Sequence, residues 1–136
     1  MLVTIEKVLV LKQIPLFKTV SNMALSDLMS VAEESTVKKG TDLILKDEVN
    51  QTMYFVLSGS VRCEDSVSKK VVVYTANQCL GLDTVFMKFP AGAHAWAETQ
   101  VVLLKVTADK LYRMMALHPS LAMAILNELS VKIHQK

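Results

Sequence analysis

The sequence predicts a mainly β protein with flanking helices: an antiparallel β-barrel or jelly roll with N-terminal helices before it and two C-terminal helices after it. Three observations carry this expectation. The hydrophobic period switches from helical to strand-like and back again. Between Val37 and Val106 the chain breaks into short β-rich pieces separated by polar or glycine turns, the pattern of a barrel or sandwich. A length of 136 residues supports one proper core and not two ordinary domains, so the chain reads as a single domain, helical over 1–34, β-barrel over 35–106 and helical over 107–136.

Ile5, Val8, Leu9 and Lys12 space a short amphipathic helix, capped by Thr4 and stopped before Pro15, whose ring disfavours helix at Ile14. Ser21 is the expected N-cap of a second helix, in which Leu25, Leu28, Met29 and Ala32 recur at i, i+3, i+4 and i+7 and which ends near Glu34. Gly40 then opens the strand region. Strands are expected at Leu43–Leu45, Met53–Ser58, Ser60–Glu64, Lys70–Thr75, His94–Ala97 and Val101–Val106. Alternation through Met53, Phe55 and Leu57 should bury one face of the second of these, and Gly59 permits a positive-φ turn into the next. Thr107 caps a helix carrying Leu111, Met114 and Met115, and His118-Pro119 ends it and starts the last helix with proline at its first position. Ala122, Ile125, Leu126, Leu129 and Ile133 line one side of that last helix, a longer apolar face than one end of a small barrel needs.

Composition excludes several functions. A formal charge of +2, with only scattered pairs such as Lys38-Lys39 and Lys69-Lys70, offers no phosphate track, so nucleic acid is not an expected partner. Lys12 and Pro15 interrupt the early apolar stretch far short of the roughly 20 residues that cross a bilayer. Glu6 and Lys7 break the order of a cleavable signal, so the expected address is cytoplasmic, without direct membrane insertion. Cys63 and Cys79 are expected as buried free thiols. His94, His118 and His134 are far apart, and no CxxC, G-x-S-x-G elbow, P-loop or Rossmann motif occurs. No metal, cofactor or enzymatic activity is therefore expected.

Gly81 to Ala97, GLDTVFMKFPAGAHAWA, has the layout of a phosphate-cradling loop. A glycine, a short apolar turn, a proline and a run of Ala and Gly let backbone N–H groups approach an anion. The fixed cation is missing, since Ala91, Gly92, Ala93, His94 and Ala95 fill the space between Pro90 and Trp96. Asp83, at the start of a helical turn, neutralises N–H groups that an anion would need. His94 either turns an imidazolium toward the loop below its ordinary pKa of about 6.5 or fills space on a short strand. Trp96 either stacks on a base or anchors a core or interface.

The order of elements and the residues at their joints resemble the cyclic nucleotide-binding domain family, the sensor module of catabolite activator proteins, protein kinase regulatory subunits and gated channels. Pro15-Leu16-Phe17 is similar to the family's turn before its second helix, and Tyr54 to Val61, YFVLSGSV, to its core strand and glycine turn. Gly81, Pro90 and Ala93 fall at the spacing of its phosphate-binding cassette, and Leu111 with His118-Pro119 resembles the joint of its last two helices. The resemblance implies a ligand site at Gly81, Leu82, Asp83, Ala91, Gly92, Ala93 and His94. It also implies a homodimer, or docking onto a host segment, through Leu126, Leu129 and Ile133 of the last helix.

Three departures fall within the cassette. Leu82 stands where the family has a glutamate that accepts from the ribose hydroxyl, Ala91 where an arginine holds the cyclic phosphate, and His94 where a small hydroxyl residue adds a contact. Asp47 and Asn50 replace two loop glycines and tolerate left-handed backbone. Losing the acid and base together costs about 4 kcal/mol, or roughly a thousandfold in affinity. cAMP and cGMP are therefore expected to bind weakly or not at all, and Leu82→Glu with Ala91→Arg to create binding without unfolding. The function expected is a non-catalytic regulatory or docking module of a larger protein whose output segment lies elsewhere. The alternative is a genuine small-molecule sensor whose altered cassette takes a cyclic nucleotide or another effector.

Overall fold

The computed structural model describes residues 3–134, with the side chains of Thr4, Lys132, Ile133 and His134 outside that description. The chain falls into two compact units, a helical one up to Ala32 and from Asp109 onward, and a strand unit over Glu33–Ala108.

Among the described residues the strand unit holds eight strands: β1 (Glu33–Val37), β2 (Asp42–Ile44), β3 (Thr52–Ser58), β4 (Val61–Asp65), β5 (Val71–Tyr74), β6 (Cys79–Leu80), β7 (Ala93–Ala97) and β8 (Val101–Thr107). They form two antiparallel four-stranded sheets, ordered β1-β8-β3-β6 and β2-β7-β4-β5. Both sheets contribute to one core: Tyr54, Val56, Leu80, Val101 and Leu103 from the first, Ile44, Val61, Ala95 and Ala97 from the second. This is a jelly-roll arrangement flanked by helices, as the sequence predicts.

Two local expectations give way here. The second helix stops at Ser30 instead of near Glu34, because Glu33–Val37 pairs along its whole length with β8, from Glu33 opposite Lys105 to Val37 opposite Val101. With only one apolar residue in EESTV, strand pairing and not hydrophobic period decides that segment. Alternation does not describe β3, where Met53, Tyr54, Phe55 and Val56 are all buried and the sheet core takes Tyr54 and Val56. β3 lies between β8 and β6, and a central strand buried on both faces shows a continuous apolar run. At Gly59, by contrast, the turn is as expected: φ is 87°, and a Cβ there would strike the Gln100 carbonyl oxygen.

The helical unit contains α1 (Thr4–Leu11), a 3-10 turn at Pro15–Phe17, α2 (Asn22–Ser30), α3 (Ala108–Leu117, entered from β8) and α4 (Pro119–His134). Ser21 caps α2 as predicted, its hydroxyl accepting from the Ala24 N–H at 3.1 Å, and Leu25, Leu28 and Met29 are buried. The first helix is capped by Val3 and not Thr4, and its exposed residues include Ile5 and Leu9, at 70% and 62%. Leu11, at the end of this helix, and Ile14 and Phe17 of the turn that follows are buried instead. α1 packs on α2, and the Lys12 ammonium reaches the Val20 carbonyl at 3.2 Å while Lys7 reaches that of Ala32 at 3.4 Å.

His118-Pro119 does separate the last two helices, which bend by 119°. On α4, Leu121, Ala124 and Ile125 are buried, Leu129 is half-buried and Leu126 is 55% exposed, so the predicted apolar face is split; the Ile133 side chain lies outside the described residues. Among the described residues no single helix is long and apolar enough to cross a membrane.

Candidate functional site

The cassette begins where β6 ends. Gly81 has φ of 88°, and a Cβ there would lie 2.9 Å from Asn50 Nδ2 and 3.0 Å from the Thr52 carbonyl oxygen, so both the backbone conformation and the space require glycine. A 3-10 turn follows at Thr84–Phe86, with Val85 N–H donating to the Gly81 carbonyl at 2.9 Å. Asp83 caps this turn through Oδ1, which accepts the Thr84 N–H at 3.0 Å. Its carboxylate therefore occupies the Thr84 N–H at the start of this turn.

Leu82 is 1% exposed, so its side chain belongs to the core. Ala91 packs against the core shared by the two sheets. Its N–H donates to the Glu48 carbonyl at 3.0 Å, and that of Gly92 donates to the Lys46 carbonyl at 3.0 Å. The Gly92 carbonyl in turn accepts from the Ser66 hydroxyl at 2.7 Å and from the Ser66 N–H at 2.9 Å. The loop between β2 and β3 thus takes up both of these backbone donors.

Asn50 reinforces this closure. It is buried, donates through Nδ2 to the Thr52 carbonyl and to Thr84 Oγ1, each at 2.9 Å, and accepts the Thr52 N–H at 3.2 Å. Thr84, also buried, passes its hydroxyl to the Gly81 carbonyl at 3.3 Å. Among the described non-glycine residues positive φ is confined to Lys69 and Asn77, so neither Asp47 nor Asn50 uses left-handed backbone. Asn50 serves through its amide, which shape alone did not suggest.

His94 does not face the cassette interior. Ala95 and Ala97 point into the core, so alternation along β7 puts His94 and Trp96 on the opposite face of the sheet. There His94 Nε2 lies 2.6 Å from Asp42 Oδ1, and its ring centroid is 4.7 Å from that of Trp96. The residues around it form a cleft of about 520 Å³ lined by Asp42, Asp47, Glu48 and Glu64 against Lys46, Lys69 and His94, a wall in which carboxylates outnumber cations. Ala93 shares the inward face with Ala95.

The inner wall of β4 and β5 is equally poor in positive charge. Burial, with smaller contributions from Asp83 and Asp65, pushes the Cys63 thiol up. The Tyr74 phenol is pushed up to about 12, first by burial and then by Cys63, Asp83 and Cys79. Both cysteines are free, and half-buried where the sequence suggested full burial. Among the described residues no three His, Cys, Asp or Glu side chains gather as metal ligands do. Gly81, Leu82, Asp83, Ala91 and Gly92 lie on the segment between β6 and β7 and Ala93 opens β7, while His94 turns to the other face of that strand and Asn50 bonds to Gly81 and Thr84.

Residues 34–118 match the cyclic nucleotide-binding domain family. No curated protein sequence matches significantly. The sensor domain of the transcriptional regulator DNR from Pseudomonas aeruginosa superposes with a TM-score of 0.81 at 23% identity, over 97% of this chain and 91% of that one. The N-terminal domain of a transcriptional regulator from Streptomyces coelicolor A3(2) gives 0.75 at 23% identity over 93% of each chain. The Thermus thermophilus catabolite activator protein gives 0.78 at 17% identity over 89% of this chain and 59% of that one. These likenesses concern the fold. Together with the match over residues 34–118, the two antiparallel sheets and the loop at Gly81 establish that this chain belongs to the cyclic nucleotide-binding domain family.

Proposed function

We propose that the chain is a non-catalytic regulatory or docking module, part of a larger protein, whose cassette does not hold cAMP or cGMP in the family's manner. One observation carries the reading: the N–H groups of Ala91 and Gly92 are spent on the Glu48 and Lys46 carbonyls. The two residues that replace the family's acid and base, Leu82 and Ala91, are both drawn toward the core. An anion entering here would displace backbone hydrogen bonds and gain no cation from position 91, where alanine stands. Titration calorimetry with cAMP and cGMP at neutral pH tests this. No saturable heat in the micromolar range is expected, and a low-micromolar dissociation constant for either nucleotide overturns the proposal.

The same reading assigns partner contact to α4. Pro119, Met123, Leu126 and Ser130 follow one another at helical spacing and are all exposed, Met123 at 57% and Leu126 at 55%. A host segment or a second copy docks along this stripe, with Leu129 at its edge. A second reading rests on Val72, which is 44% exposed beside half-buried Cys63 and Tyr74 and offers an apolar surface to an uncharged effector. A rise in melting temperature with an uncharged aromatic ligand, and none with cyclic nucleotides, favours that reading.

A further inference from the structure

β5 ends the sheet β2-β7-β4-β5 and has one backbone edge without a neighbouring strand. The hydrogen bonds of β4 decide which of its groups face outward. Ser66 N–H donates to the Gly92 carbonyl and Glu98 N–H to the Ser60 carbonyl, so Ser60, Arg62, Glu64 and Ser66 turn their backbone toward β7. Val61, Cys63 and Asp65 therefore turn toward β5, and the Asp65 N–H bond to the Lys70 carbonyl at 2.9 Å agrees. With Cys63 opposite Val72 and Val61 opposite Tyr74, the N–H and C=O groups of Val71 and Val73 point away from the sheet.

Both ends of this edge are closed. Lys69, with φ of 62°, folds its N–H back to the Asp65 carbonyl, and the Thr75 N–H is taken by Gln78 Oε1 at 2.7 Å. Among the described residues the backbone of Val71 and Val73 has no hydrogen-bond partner across the edge. Val71, Val72 and Val73 are 37%, 44% and 42% exposed, an apolar open edge of the kind that folded proteins normally mask.

We propose that this edge pairs with the same edge of a second copy of the chain, β5 against β5, antiparallel about a two-fold axis through Val72. The open stretch is its own complement. Val71 of one copy meets Val73 of the other on both sides of the axis, each pair exchanging two N–H···O bonds. Lys70 then faces Tyr74 and Lys69 faces Thr75, so no lysine opposes a lysine. A longer foreign strand would run past the closed ends at Lys69 and Thr75, whereas a second copy stops where the opening stops. The two sheets become one continuous sheet, which removes the exposed edge.

Light scattering and amide exchange on the full chain test this. A concentration-dependent dimer is expected, with the Val71 and Val73 amides gaining protection as it forms and keeping it when Leu126→Ser removes the α4 stripe. Val71→Lys with Val73→Lys sets lysine against lysine and should weaken association at least tenfold. Val71→Lys with Val73→Glu sets lysine against glutamate twice and should retain it. The proposal is overturned if the two double variants associate alike, if the chain stays monomeric, or if both amides exchange equally fast at every concentration. The amide readout uses the unsubstituted chain, so it decides the matter whatever the variants do to folding.

Discussion

Asn50 shows how one side chain can join two loops distant in sequence. Its amide ties the loop before β3 to Gly81 and Thr84 of the cassette, and nothing else among the described residues supplies those bonds. Asn50→Ala should cost about 2 kcal/mol in urea denaturation, because the buried Thr84 hydroxyl loses its donor and the Thr52 N–H and C=O lose the Asn50 amide. Leu82 gives the complementary lesson. At 1% exposure, glutamate there is a buried carboxylate, so Leu82→Glu with Ala91→Arg should destabilise the fold by about 3 kcal/mol or more and not simply restore binding. Tyr74 makes stability depend on alkaline pH. Its folded-state pKa is raised from 10.0 to about 12, so it is neutral in both states below pH 10.0 and contributes stability there. That contribution is lost as pH rises through about 12, and in Tyr74→Phe this part of the alkaline fall in stability should vanish.

Elements are held by contacts distant in sequence, and the elbow between α3 and α4 is one of them. His118 accepts the end of one helix and the start of the next: its N–H donates to the Met114 carbonyl, and its carbonyl accepts from Leu121 at 3.0 Å. Its imidazole, 13% exposed, lies 2.7 Å from Asp27 of α2, while the Ser21 N–H approaches the Ser120 hydroxyl at 3.4 Å. The elbow is thus fastened to α2 at two points. His118→Ala should cost about 1–2 kcal/mol in thermal or urea melting, and Asp27→Asn, which keeps a neutral hydrogen bond, should cost less. If both variants melt like the parent chain, the elbow is held by apolar packing alone.

At the scale of the whole molecule, α4 separates stability from association. Ile125 is fully buried and Leu126 is 55% exposed, although they are neighbours. Ile125→Ala should therefore cost about 2–5 kcal/mol of folding stability. Leu126→Ser should change it by no more than about 0.5 kcal/mol while reducing contact along the helix stripe, a difference that sedimentation and denaturation together can read. Equal loss of stability in both variants would mean that Leu126 is covered within the monomer.

The amino-acid sequence by itself determined the jelly roll with flanking helices, the Ser21 cap, the Gly59 turn, the His118-Pro119 break and the Asp83 cap of the cassette turn. The fold class is written in the hydrophobic period along the chain and the four local features in adjacent residues, because capping, positive φ and proline geometry act over one turn of chain. Only the tertiary structure decided that EESTV is a strand, since its partners are Val101–Lys105, and that Leu11 rather than Ile5 is buried, since α1 packs on α2. The same holds for the cassette. The alternation that carries His94 to Asp42 is set by the register of β7, and the bonds from Lys46, Glu48 and Asn50 that close the loop cross from a different hairpin. The residue types were legible, but whether a backbone N–H is free for a ligand depends on which carbonyl folding brings beside it, and that partner leaves no mark in the local sequence.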